Sequence, residues 1–329
     1  MTNPIDCVLA VTYKCNSRCV MCDIWQLKNF PETEIEQYKK LPTSLCDINI
    51  SGGEVFLYTK LPELVKLIKE RCPKAKIVLS SNGFMSEFIE QQMKKILAID
   101  PKIGVALSLD GVGEMHEKIR RIPQAFDKVM DTLSRLQALG MKNLRLAFTV
   151  LPENVSHYGK VYNLAREKGI QFTSAFAQSS EHYFGGKKNE NHPDALELKK
   201  QFAYVISQEL KSWNLKRWAR AYFAYGLYKF GSQTEQVLSD DPGKRFFFMD
   251  PAGLVYPSVI DNFVMGDLTQ ANSWDDLWQS ERANEARKMT HEHGKPVWMI
   301  CTARTAIKKH PFRVGWWVVR NKFVKFIKL

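Results

Sequence analysis

Short apolar runs alternate along this chain with longer stretches whose apolar positions recur every three or four residues. Cys7–Thr12, Asp47–Ile50, Lys76–Ser80, Ile103–Leu109, Leu144–Val150 and Gln171–Phe176 read as strands, being short and rich in branched apolar residues. Helix-period segments lie between them. Pro62 suits a first helical turn, and Leu64, Leu67 and Ile68 then share a face until Cys72-Pro73 stops the helix. Gln124–Leu139 and Asn154–Lys168 behave alike, each closed by a glycine, Gly140 and Gly169, with Asn154 placed as a helix N-cap. Six strand-then-helix units in series predict parallel strands with helices outside, a partial (β/α)6 barrel of the TIM type in the α/β class. In such barrels the chemistry gathers at the C-terminal ends of the strands. Beyond the sixth unit, a helix runs from Pro193 through Leu210, and an aromatic-rich one covers residues 218–228. Its aromatics fit a core better than the lining of an apolar channel.

Composition narrows this picture. At 329 residues and 45% hydrophobic, the chain can build one large domain, or a barrel of about 200 residues with a smaller appendage. The opening Met1–Asp6 has no basic n-region, and no apolar stretch approaches the roughly 18 residues that span a bilayer, so a cytoplasmic location is expected. Seven cysteines, an odd number with three clustered, argue against a disulfide framework, and Cys7, Cys46 and Cys72 read as buried packing. The net charge of +12 is mostly a property of the tail, because residues 303–329 hold eight Lys/Arg and no acid. A nucleic-acid partner would instead need a basic face across the folded domain.

The candidate chemistry sits directly after the first strand, in Tyr13-Lys14-Cys15-Asn16-Ser17-Arg18-Cys19-Val20-Met21-Cys22. Chance would produce this C-x3-C-x2-C spacing only about 0.003 times in a chain with so few cysteines. Three thiolates on one loop can hold three irons of a 4Fe-4S cluster and leave the fourth iron open to a ligand. A zinc knuckle or three packed core cysteines are the alternatives; zinc sites normally show a fourth ligand at short spacing, and none follows before Cys46. After strand two comes Ser51-Gly52-Gly53-Glu54, where glycines let backbone approach a ligand and a carboxylate can face an ammonium. Strand three ends Ser80-Ser81-Asn82-Gly83, and strand four runs through Ser108-Leu109-Asp110-Gly111 to His116 and Arg120. An arginine there could meet a carboxylate bidentately. Strand five ends Thr149-Val150-Leu151-Pro152.

Together these motifs resemble the radical S-adenosylmethionine (SAM) superfamily, and among its members the SPASM/twitch type. The resemblance implies a cluster on Cys15, Cys19 and Cys22 and SAM held near Met21, Gly52, Gly53, Glu54, Asn82, Ser108, Arg120 and Val150, with Val150 against the adenine. It further implies an oxygen-sensitive enzyme that draws an electron from a partner such as flavodoxin or ferredoxin. Reductive cleavage of SAM to a 5'-deoxyadenosyl radical would then abstract hydrogen from a substrate.

The segment from Arg245 to Ser258, with Met265-Gly266-Asp267-Leu268 and Trp274–Trp278, resembles the SPASM/twitch appendage, but its cluster cysteines are largely missing. Ser258 stands at the usual Pro-Cys position, and Cys301 is the sole cysteine beyond Cys72. One thiolate cannot hold an auxiliary cluster, and His291, His293 and His310 are the other groups available as ligands. A degenerate appendage with one cluster in the whole protein is therefore expected, and with no sink for a second electron a redox-neutral outcome gains weight. The expected units are a core barrel over residues 1–190, a helical linker over 191–240, the SPASM-like region over 241–302 and a basic aromatic tail over 303–329. That tail reads either as a helix docked on the barrel with its lysines in water, the favoured reading, or as an interfacial helix giving peripheral membrane contact. The substrate is not legible: a peptide fits the family resemblance, and a lipid, isoprenoid or anionic glycan precursor fits the aromatics and basic tail. A non-catalytic iron-sulfur or SAM-binding protein descended from such an enzyme is the alternative from a different class.

Overall fold

A computed structural model describes residues 3–190, 192–239 and 242–323. Six strands, β1 (Asp6–Thr12), β2 (Asp47–Gly52), β3 (Lys76–Ser81), β4 (Gly104–Ser108), β5 (Leu144–Val150) and β6 (Gln171–Phe176), pair in parallel, each beside its neighbour in sequence. Their positions match the apolar runs to within two residues at each end. Intervening helices cover the outer face: α1 (Leu61–Arg71), α2 (Ser86–Ile99), α3 (Glu114–Arg120), α4 (Ala125–Ala138) and α5 (Tyr158–Glu167). Every residue of β1 is buried, as expected for a strand covered on both faces. Leu64, Val65 and Ile68 of α1 and Val129, Leu133 and Leu136 of α4 pack into the main core.

The appendage does not stand apart from the barrel. After α6 (Glu181–Phe184), α7 (Ala195–Leu210) and α8 (Leu215–Gln233), the strand β7 (Phe246–Met249) pairs in parallel with β1 on the side away from β2. Antiparallel β8 (Leu254–Tyr256) and β9 (Gly266–Asp267) complete one nine-stranded sheet. The regions on either side of residue 241 thus contribute strands to one sheet. Four further helices follow: α9 (Trp274–Gln279), α10 (Glu281–His293), α11 (Ile300–Lys309) and α12 (Pro311–Lys322).

The sheet ends at β6 on one side, and α11 packs against both β6 and β1. Arg304 of α11 holds Asp6 at 2.5 Å and Asp47 at 2.9 Å, so one guanidinium ties the helix to the starts of β1 and β2.

Two expectations need correction. Cys46 is exposed rather than packed, because it precedes β2 in the loop at the N-terminal rim. Asn154 stands at the N-cap of a 3-10 turn, Val155–His157, that leads into α5, but its side chain makes no capping bond. Its buried amide donates to Asp110 O at 3.0 Å and Thr149 O at 2.9 Å and accepts from Leu151 N at 2.8 Å, clamping the end of β5 to the loop after β4.

The appendage is pinned to the barrel through α6. Ser180 Oγ caps this helix by accepting from Tyr183 N and donates to Val259 O at 2.8 Å. His182 stacks on Tyr256 with ring centroids 4.2 Å apart, and its Nε2 donates to Ser258 O at 3.1 Å. Burial pushes the His182 pKa down to about 4 from 6.5, against the opposing pull of the Ser258 carbonyl. Below pH 6.5 the unfolded chain takes up a proton that the folded chain refuses until about pH 4. Stability should therefore fall by roughly 3 kcal/mol on acidification through that window. Urea unfolding of wild type and His182→Gln across pH 4 to 7 checks this, and equal slopes in the two proteins would refute it.

Candidate functional site

The cysteine loop follows β1 and is held from three sides. Gly53 N donates to Thr12 O and Glu54 N to Lys14 O, both at 2.8 Å. The end of α3 meets the loop through Val20 N to Ile119 O at 2.9 Å, and Asn189 Nδ2 donates to Met21 O at 3.0 Å. Gly52 and Gly53 are required for this close approach. A Cβ on Gly53 would fall 2.4 Å from Lys14 O, and one on Gly52, where φ is +134°, 2.2 Å from Thr12 O.

A cavity of about 260 Å³ fills the barrel interior and opens at the C-terminal ends of the strands. Cys15, Cys19, Met21, Cys22, Gly52, Gly53, Asn82, Ser108 and Arg120 all line it. Glu54 and Val150 are not on its lining. Glu54 is fully buried off the cavity wall, and its carboxylate accepts from Asn82 N at 2.7 Å, Ser81 Oγ at 2.8 Å and Phe56 N at 3.2 Å. Burial pushes its pKa up to about 7, opposed by those three donors. Its role in this structure is to fix the loop after β3. Val150 borders a second cavity of about 380 Å³ beside the first, together with Val20, Leu151, Gln178 and Ile260.

All three loop cysteines are free thiols. Burial pushes Cys15 and Cys22 up to about 12. Bound iron would supply the positive charge that a thiolate there needs. Arg120 Nη1 donates to Cys19 Sγ at 3.4 Å, and Ser17 Oγ lies 3.0 Å from the same sulfur. Donors of this kind orient and tune a ligand sulfur. Among the described residues no three His, Cys, Asp or Glu side chains converge as they would around one metal ion. In a 4Fe-4S cluster each thiolate takes a different iron, so three thiols on one cavity wall could each hold one.

Arg120 is the charged centre of the wall. Its Nη2 pairs with buried Asp110 at 2.6 Å, and Asp110 Oδ1 accepts from Thr149 N at 2.7 Å. Burial works to lower the Arg120 pKa, but the Asp110 charge raises it further, so the guanidinium stays cationic. Arg120 Nε is buried with no acceptor among the described residues. Arg120 itself lines the cavity, and a cation there suits the carboxylate of a bound amino acid group. Asn82 is fixed in place by its amide donating to Asn16 Oδ1 at 2.6 Å.

The deeper half of the cavity contains residues that sequence reasoning missed: Asn49, Lys76, Ser80, Arg145, Thr173 and Arg304. Ser80 Oγ donates to Asn49 Oδ1 at 2.9 Å, and Arg145 Nη2 to Asn143 Oδ1 at 2.9 Å. Their signal was present. In β5 the period of two puts Arg145, Ala147 and Thr149 on one face, opposite Leu144, Leu146, Phe148 and Val150. Tyr183 and Phe184 of α6 close the rim from the side.

In the appendage, Ser258 is buried and its Oγ accepts from Ile260 N at 3.2 Å. Cys301 lies buried on the wall of the barrel cavity, whereas His291, His293 and His310 are exposed, so these four do not gather into a ligand set.

Comparison with known proteins agrees with this arrangement. Residues 9–165 match the family described as the Radical SAM superfamily. The Fe-coproporphyrin III synthase of Methanosarcina barkeri is 33% identical over 168 residues, covering 49% of this chain and 40% of that protein. The sporulation killing factor maturation protein SkfB of Bacillus subtilis is 24% identical over 172 residues, covering 50% and 40%. The chain thus spans less than half the length of both. Among solved structures, Streptococcus suis SuiB bound to S-adenosylmethionine superposes with a TM-score of 0.65 at 15% identity, covering 88% of this chain and 68% of that one. AnSMEcpe with bound AdoMet superposes with a TM-score of 0.63 at 16% identity, covering 98% and 97%. Identities this low establish a shared fold, six parallel strands with a C-terminal antiparallel extension, and nothing finer.

Proposed function

We propose that this chain, whose residues 9–165 match the Radical SAM superfamily, is an enzyme using one 4Fe-4S cluster and SAM. The observation that carries the reading is the meeting of Cys15, Cys19 and Cys22 with Asn82, Ser108 and Arg120 around one cavity at the C-terminal ends of the strands. The three thiolates would hold the cluster, and Arg120, anchored by Asp110, would offer its positive charge to the SAM carboxylate. When bound, the reduced cluster and SAM supply a hydrogen-abstracting 5'-deoxyadenosyl radical.

The chain's own residues supply confinement and position. Tyr183, Phe184 and Met299 border the cavity with apolar surface, which keeps water from the reacting centre. The second cavity, next to the cysteine loop at Val20, is the proposed substrate entrance. Lys187, Lys188, Lys295 and His192 border it against the single acid Glu153, which favours a substrate carrying negative charge. Ser258 in place of a thiol supports a single cluster and a redox-neutral reaction, with the electron delivered by a flavodoxin- or ferredoxin-like partner.

Anaerobic reconstitution with iron and sulfide, followed by dithionite and SAM, should release 5'-deoxyadenosine and methionine even without substrate. A cluster that assembles without this release would replace the enzyme reading with that of a non-catalytic iron-sulfur or SAM-binding protein.

A further inference from the structure

Helix α12 was expected to use its apolar residues either for docking or for an interface, and it does both with opposite faces. Val314, Val318 and Asn321 are buried as α12 packs on α7, α8 and α11. On the opposite side Phe312, Trp316, Val319 and Phe323, spaced by four, three and four residues, are 91%, 69%, 57% and 73% exposed. At roughly 100° per residue these four fall within a sector of about 60°. Docking therefore leaves a complete apolar stripe in solvent.

The stripe continues onto the turn between α7 and α8. Trp213 and Leu215 are 73% and 72% exposed, and the Phe323 ring lies 6.4 Å from that of Trp213. This corner is built rather than loose. Lys322 Nζ donates to Leu210 O at 2.5 Å and Ser212 O at 2.8 Å and stands 4.2 Å from the Trp213 ring centroid. Exposed cations flank the stripe, Arg313 and Arg320 on α12 and Lys211 and Lys216 at the turn. No acid occurs in residues 303–329 or 211–218. Lys325, Phe326, Ile327 and Lys328 lie outside the described residues.

We propose that this face, α12 with the α7–α8 turn, is an interfacial site for an anionic phospholipid surface, with the aromatic stripe in the headgroup region and the flanking cations on lipid phosphates. Aromatics beside Arg and Lys suit the boundary between headgroups and acyl chains, and no helix among the described residues is long and apolar enough to cross a bilayer. The charge pattern favours lipid over a second copy of the chain, since self-association through this face would bring its cations together.

Full-length protein should co-sediment with phosphatidylcholine vesicles containing phosphatidylglycerol, far less with phosphatidylcholine alone, and binding should weaken as salt rises. Phe312→Glu with Trp316→Glu should reduce partitioning by roughly tenfold or more, while Arg313→Gln with Arg320→Gln should reduce it only on the anionic vesicles. All four side chains are exposed, and unchanged circular dichroism would show the fold retained. Failure of the wild type to bind phosphatidylglycerol vesicles, or unaltered binding by the acidic variant, would overturn the proposal. A dimer in sedimentation velocity that the acidic variant dissociates would overturn it in favour of self-association. None of these readouts depends on SAM cleavage.

Discussion

Cys19→Ala should yield a protein that reconstitutes without a 4Fe-4S cluster and releases no 5'-deoxyadenosine. Cys19 is the most enclosed of the three loop thiols, packed with Met21, Ile119 and Leu151 and faced by Arg120 and Ser17. Of the four cysteines outside the loop only Cys301 shares the cavity wall, and the other three cannot replace Cys19. Cys7 and Cys72 are buried in the main core, and Cys46 sits at the opposite end of the barrel, before β2. Two thiolates leave the cluster short of a ligand on a second iron. Iron and sulfide per chain and the visible absorbance of the cluster give a readout independent of turnover, with Cys46→Ala as the control expected to match wild type. A Cys19→Ala protein that keeps wild-type iron, or still cleaves SAM, would refute the assignment.

Asp110→Ala should cost about 3–5 kcal/mol of folding stability, because it leaves the Arg120 cation buried without its partner. The 2.6 Å pair lies inside the fold, with Asp110 fully buried and Arg120 8% exposed. Asp110 also accepts from Thr149 N, so its loss unties the end of β5 as well. Adding Arg120→Met should recover much of the loss, since two apolar side chains leave no unpaired charge. The urea midpoint of the two single variants and the double variant provides the cycle. A shift of less than about 1 kcal/mol for Asp110→Ala would mean that the pair is solvated and not the buried anchor described above.

The strands were legible because each is a short run of branched apolar residues, continuous in β1 and alternating in β5, and the cysteine loop because its spacing is rare. What stayed hidden was long-range. Nothing local in Phe246–Met249 shows that it joins the barrel sheet beside β1, or that Arg304 reaches Asp6 and Asp47. Glu54 was read toward a ligand because its motif is local, whereas its actual partners come from the next strand's loop. At Gly52 and Gly53 the chain's own backbone at Thr12 and Lys14 also approaches closely, a contact that the local motif does not show. Asn154 looked like a cap because capping residues and backbone clamps share the same short amide.

The pairing of β1 with β7, and of Asp6 with Arg304, also sets a timetable for the nascent chain. During translation β1 gains β2 early, but its other edge stays unpaired until about 240 more residues have been made. At about 5–20 residues per second that is roughly ten seconds to a minute in which an apolar edge is available to other chains. The latch from α11 arrives later still. Folding yield should therefore depend on how well the ribosome-bound intermediate is shielded, and a helix near the C-terminus decides when the first strand is safe.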